Sequence, residues 1–343
     1  MNREQWLKVA ELKGCDQIPC FVLITDAVRK QWPDKVDEIK QNYPEIFTDH
    51  LGFGPLPAEQ PRYKAGQTQI DRWGCVWTNS YDGIEGVVTH HPLDDWARLK
   101  DLKVPDAAAE GHMNDIDWQQ TALHIRNRKA EGKLTCGFIF HGFLFQRLYY
   151  LRGFENLMID IATGDKNLDR LIDIVSTFNK ELAARYLALG VDVMWFGDDL
   201  GTQTALTIGP DDFRRYIKPA YTEIFSMCRQ AGTDVYLHTD GCIVEIMPDL
   251  IEAGVTIINP QDLCNGLENI KKHLKGKICI DLDIDRQSIV PFGTARQIDD
   301  HIRDCIETLR SPKGGLMLVC GIYPGTGIEN IEAVCAAIDK YRR

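Results

Sequence analysis

The segment VYLHTDG, residues 235–241, ends an apolar run with a histidine, an aspartate and a glycine before IVEIMPDLIEAG continues at helical spacing. An imidazole and a carboxylate two residues apart on an extended chain point the same way, because side chains in a strand alternate faces. Such a pair can ligate a divalent cation or pass a proton. Other apolar runs end alike. His141 follows TCGFIF, Asp198 and Asp199 follow VMWFG, and Asn259, Gln261 and Asp262 follow VTII. Asp281, Asp283 and Asp285 follow KICI, and Cys320 and Tyr323 follow GLMLV. An aspartate after a strand also caps the next helix, and Asp262 and Asp285 are read as caps. Alone, His238 reads first as a core histidine with a backbone partner. Together, His238, Asp240 and Cys320 offer the imidazole, carboxylate and thiolate that a borderline-soft ion such as Zn²⁺ accepts, with one position open for catalysis. The compact CxxC and HExxH spacings are absent.

These residues need elements that bring them together. VDVMWFG (191–197), TDVYLH (233–238), GVTIINP (254–260), GKICIDL (276–282) and GGLMLVC (314–320) are short runs rich in Val, Ile and Leu. They predict fully buried strands, and the segments between them carry apolar residues at helical spacing. IPCFVLIT (18–25) and TCGFIFH (135–141) add two more. Strands alternating with helical crossovers require a parallel sheet. The expected fold is a (β/α)8 TIM barrel in a single domain over 1–343, with a doubly wound open sheet as the competitor. An eighth strand is sought in 71–90, within an aromatic, Gly-containing stretch read as a small inserted hairpin region near residues 71–95 that forms a lid or wall. In a barrel, loops after the C-terminal strand ends carry the chemistry, which is where the polar residues above fall.

Composition bounds the partners. The 343 residues are 44% hydrophobic and 26% charged, with a net charge of −11 spread along the chain. That balance argues for a globular protein and against a nucleic-acid surface. No apolar run approaches the roughly 20 residues of a membrane span. MNREQWLKVAELKG reads as a charged amphipathic helix, not a secretory leader. Eleven cysteines without a pairing pattern read as reduced thiols, so a cytoplasmic location is expected.

Several stretches carry a resemblance: GFLFQRLYYLRGFENLMIDIA (142–162), FGDDLGTQTALTIGPDDFRRYIKPAY (196–221), LHTDG (237–241) and CGIYPGTGIENIEAV (320–334). The chain resembles the uroporphyrinogen decarboxylase superfamily, and within it the corrinoid-dependent methyltransferases, which include methylcobamide:coenzyme M methyltransferases and aryl ether O-demethylase components. The resemblance implies a (β/α)8 barrel and a methyl transfer between a small substrate, a methoxylated aromatic favoured, and the cobalt of a cobamide. No DxHxxG-type signature is present, so the cobamide is expected on a partner corrinoid protein. The zinc-bearing branch holds its metal with a His-x-Cys pair and a later Cys; here the positions are His238, Asp240 and Cys320, and carboxylate oxygen also binds Zn²⁺ at about 2.0–2.2 Å. The zinc would act as a Lewis acid on the leaving oxygen. Alternatively Asp198, Asp199 or Tyr323 would donate a proton. Trp77, Tyr81, Phe143 and Trp195 would hold a ring, although each alone reads first as packing, and His141 would touch the substrate or support the metal. A decarboxylase of the same superfamily is the alternative. Its Arg-rich N-terminal signature is missing, for IPCFVLITDAVRK offers one Arg. A non-catalytic corrinoid- or tetrapyrrole-binding barrel and a metal-dependent hydrolase or lyase also stay open.

Overall fold

The computed structural model describes residues 1–14, 17–53 and 61–343. Ten strands form among them: β1 (Cys20–Ile24), β2 (Thr68–Ile70), β3 (Val76–Thr78), β4 (Val87–His90), β5 (Cys136–Ile139), β6 (Val193–Gly197), β7 (Asp234–Thr239), β8 (Ile257–Pro260), β9 (Cys279–Asp283) and β10 (Leu316–Ile322). Seven make one sheet in the order β1-β10-β9-β8-β7-β6-β5, parallel throughout. β6 to β10 are buried along almost their whole length, as expected of strands covered on both faces.

The sheet curls as a barrel does but is not closed. Among the described residues no ladder joins the edge strands β1 and β5. The expected eighth strand does not lie in 71–90. That region supplies β2, β3 and β4, a separate antiparallel sheet, so the inserted hairpin is present and the barrel strand is not. Two of the three strands, β2 and β4, are mostly exposed, and such half-wet strands suit an antiparallel ribbon better than a sheet covered on both faces. The insert is pinned by one buried group. Asp71 accepts hydrogen bonds from the Trp73 and Cys75 amides and Trp77 Nε1, and meets Arg147 Nη1 at 2.6 Å with both side chains fully buried.

Strand alternation divides the core into two layers. Trp195, Tyr236, Ile257, Cys279 and Met317 face the barrel interior, where Trp6 and Val9 of the N-terminal helix Arg3–Ala10 close the floor. Met194, Phe196, Leu237, Ile258, Ile280 and Cys320 face the outer helices. Helix Ala295–Leu309 shows how the sequence directs this packing: a Thr294–Gln297 capping box starts it, and Ile298, Ile302, Cys305, Ile306 and Leu309 form one buried stripe. Full burial of each such Ile or Leu contributes roughly 1.5–3 kcal/mol. No helix among the described residues is long and apolar enough to cross a membrane.

Candidate functional site

A cavity of about 800 Å³ opens at the C-terminal strand ends. One wall is aromatic, with Trp77, Phe138, Phe140, Tyr150 and Trp195. The other is polar and is supplied by inward positions of successive strands, namely Asp199, His238, Asp240, Asn259, Asp281 and Asp283, together with His141 and Arg286.

The turn after β7 depends on its glycine. Gly241 has φ +86°, and a Cβ there would overlap the backbone of Gly201. The two turns are laced together, Gly201 N donating to Asp240 O at 3.1 Å and Cys242 N to Thr202 O at 2.7 Å. This closeness positions Asp240 beside Asp199, whose Oδ1 accepts from the Asp240 amide at 3.0 Å.

His238 is held on both sides. Asn259 Nδ2 donates to the Asp281 carbonyl at 2.6 Å, so Asn259 Oδ1 is the acceptor for His238 Nδ1–H. Nε2 therefore faces the cavity, 3.4 Å from Asp240 Oδ1 and 3.8 Å from Asp199 Oδ1. Trp195 stacks on the imidazole at 5.9 Å. Burial opposes charge on His238, but Asp240 and Asp199 outweigh it and raise its pKa to about 9. Asp240 is pushed well below the carboxylate range, because His238 and Arg286 outweigh its burial. Arg286 Nη2 donates to both carboxylate oxygens of Asp240 at 2.7 and 2.8 Å, while its Nη1 reaches within 3.2 Å of Asp283 Oδ2 and the guanidinium lies over the Tyr323 ring at 5.3 Å.

Asp281 and Asp283 are each pushed up to about 7, burial being the main cause. Asp281 Oδ2 accepts from Tyr236 OH at 2.8 Å, whereas Asp281 Oδ1 and Asp283 Oδ2 have no aligned hydrogen-bond donor among the described residues. Near neutrality both can carry a proton into the cavity.

Of the site residues expected from sequence, the structure brings Trp77, His141, Trp195, Asp199, His238, Asp240 and Tyr323 to one cavity. It does not bring Cys320. β10 runs two residues beyond Cys320, which faces the outer helices and is completely buried, its thiol pKa driven far up by that burial. Asp198 also points outward, accepting from the amides of Leu144, Phe145 and Gln146 and from Tyr221 OH. Phe143 packs against Phe196, Tyr221 and Phe225 in the outer layer, and Tyr81 is 70% exposed on the insert. Asp285 caps as expected, accepting from the Gln287 and Ser288 amides at 3.0 and 2.9 Å. Arg286 and Tyr236 carried no signal in the sequence, while the in-facing Asp281 and Asp283 carried one in their i, i+2 spacing.

The zinc set His238, Asp240 and Cys320 therefore does not converge, and Asp240 is already engaged by Arg286. A different set does: ligand atoms of His141, Asp199 and His238 lie within 4.8 Å of one another. Two imidazoles and a carboxylate suit Zn²⁺, His238 turns its Nε2 to the cavity, and Gln146 Nε2 steadies Asp199 Oδ2 at 2.7 Å.

No curated protein matches the chain significantly. Among solved structures, a dihydropteroate synthase from Xanthomonas albilineans is 16% identical with a TM-score of 0.32, the match covering 46% of this chain and 58% of that one, little more than half its length. A xylanase from Gloeophyllum trabeum is 10% identical with a TM-score of 0.40, covering 65% and 80%. The family model described as Uroporphyrinogen decarboxylase (URO-D) matches residues 74–341, which contain every parallel strand but β1 and every residue of the polar wall, and the chain belongs to that family.

Proposed function

We propose that the chain is a corrinoid-dependent methyltransferase that removes a methyl group from a small methoxylated aromatic, the acceptor being cobalt in a cobamide brought by a separate corrinoid protein. The observation that carries this reading is the cavity itself, whose aromatic lining adjoins a pole made by His141, Asp199 and His238, Trp195 touching both imidazoles. Trp77 and Trp195 would hold the ring, which directs the ether oxygen toward the pole. Zn²⁺ bound by His141, Asp199 and His238 would supply Lewis acidity to the leaving oxygen. Asn259 fixes the tautomer of His238, and Arg286 holds Asp240 beside it as a carboxylate. Tyr323, next to Arg286, and the protonated Asp281 and Asp283 are the donors placed to protonate a phenolate.

A decarboxylase reading has one observation in its favour. Two cavity carboxyls with pKa values near 7 could deliver the proton that a decarboxylated carbon requires. The cations speak against a polycarboxylate substrate, because Arg62 is paired with Glu85 at 3.0 Å and Arg286 with Asp240 and Asp283. The test incubates the purified protein with reduced cobalamin and a panel of methoxylated aromatics and follows methylcobalamin by absorption. Methylation that disappears in His238→Ala is expected. No methylation, together with CO₂ release from aromatic or pyrrolic acids without corrinoid, would replace this reading with the second.

A further inference from the structure

A second convergence of ligating groups lies outside the cavity. Asp262 opens the short helix Asp262–Asn265 after β8, and His301 and Cys305 stand four residues apart on helix Ala295–Leu309. That spacing stacks their side chains on one helix face. The ligand atoms of all three lie within 4.8 Å of one another. Cys305 Sγ is 3.7 Å from His301 Nε2 and 3.9 Å from Asp262 Oδ2, while His301 Nε2 is 2.7 Å from Asp262 Oδ2. Zn–N, Zn–O and Zn–S bonds of about 2.0–2.3 Å set tetrahedral ligands roughly 3.3–3.7 Å apart. The two distances to sulfur are already close to that, and only the His301–Asp262 separation must widen, by roughly half an ångström.

We propose that Asp262, His301 and Cys305 form a structural zinc site with one thiolate, one imidazole and one carboxylate ligand, distinct from the His141, Asp199 and His238 set. Asp262 and Cys305 are buried and the His301 side chain keeps 11% exposure, so the ion would enter along the imidazole edge. Binding expels the thiol proton and the Nε2 proton that His301 shares with Asp262 to solvent, and the imidazole keeps a proton on Nδ1 so that Nε2 ligates.

The site has a mechanical consequence. Asp262 Oδ2 also accepts the Asp285 amide at 3.1 Å, and the next residue is Arg286, which grips Asp240 in the cavity. The ion would therefore tie helix Ala295–Leu309 to the loop that carries Arg286.

Cobalt(II) added to the metal-free full-length protein tests the assignment, since a thiolate ligand gives an intense near-ultraviolet charge-transfer band. The cavity set contains no cysteine, so the band reports this site alone. The band should appear in wild type, persist in His238→Ala, and vanish in Cys305→Ser and in His301→Gln, which retains a donor to Asp262 should the serine variant not fold. Zinc should raise the Tm of wild type and His238→Ala, but not of Cys305→Ser or His301→Gln. No thiolate band in wild type, or one that survives both helix substitutions, overturns the proposal and leaves the trio a hydrogen-bonded core cluster.

Discussion

At the scale of single residues, the two adjacent aspartates 198 and 199 have opposite fates because they follow β6 with opposite parity. Asp198 serves as acceptor for three backbone amides and a tyrosine hydroxyl. Removing it strands buried donors, so Asp198→Ala should destabilise by about 2–4 kcal/mol in chemical denaturation. Asp281 and Asp283 set a pH dependence in the metal-free protein. Their pKa values of about 7 in the fold lie above the 3.8 of an ordinary aspartate, so between those limits the folded state binds more protons and stability falls as pH rises. His238 acts in the same sense later, its contribution being complete below 6.5 and lost as pH climbs through about 9. Asp198, pushed up to about 6 by burial, covers the lower part of the carboxyl window. His50 and His112, whose pKa values burial lowers, act in the opposite sense below about 6.5, so the readout is a difference between proteins. Relative to the Asp281→Asn, Asp283→Asn double variant, the wild-type denaturation midpoint should fall between pH 6 and 7, while both proteins keep the His238 limb. A wild-type midpoint that rises relative to the double variant over that range would contradict the assignment of two protonated carboxyls.

At the scale of elements, the insert is held to the barrel through one charge pair. Arg147 and Asp71 have no exposed side-chain surface, and Arg147 also lies over the Trp73 and Tyr150 rings at 6.0 and 5.3 Å. Arg147→Leu would leave the Asp71 carboxylate buried without its partner, a loss of roughly 3–5 kcal/mol. It should also weaken the near-ultraviolet dichroism of Trp73 and Trp77, and an unchanged spectrum would mean that β2, β3 and β4 are anchored by other contacts. What the sequence made legible follows the same logic. Seven parallel strands announced themselves as Val- and Ile-rich runs, and the in-facing pair His238 with Asp240 followed from alternation, whereas Asp281 and Asp283 were read only as polar residues after a strand. Alternation misled wherever the strand end was misjudged. β10 was expected to stop at Cys320 and continues to Ile322, so a thiol read as lying at the rim belongs to the outer layer. Phe143 and Trp195 are both aromatic residues near a strand end, and only backbone direction separates the packing residue from the cavity residue. Arg286 was invisible because its main partner, Asp240, follows another strand and meets it only when the sheet curls.

At the scale of the molecule, charge selects what enters. The chain carries a net charge of −11, and the cavity lining keeps that sign: besides the protonatable Asp281 and Asp283 it holds five Asp and Glu side chains against two Arg and the cationic His238. Both arginines are already matched by carboxylates. A multiply anionic ligand would give up its hydration without gaining a free cation, and bringing an unpaired charge into such a site costs several kcal/mol. A neutral ring surrenders little hydration and gains contact with Trp77 and Trp195, each of which is almost wholly buried at the cavity wall. Titrations followed by tryptophan fluorescence should thus detect a neutral methoxyarene and fail to detect an octacarboxylate porphyrin at the same concentration. Added salt sharpens the comparison, since a Debye length of about 8 Å at 0.15 M screens the field outside the cavity and not the paired charges within it. Raising ionic strength should leave the methoxyarene curve unchanged and should not rescue the porphyrin. Tight porphyrin binding at either ionic strength would show that Arg62 and Arg286 exchange their internal partners for ligand carboxylates, and would shift the assignment to the decarboxylase reading.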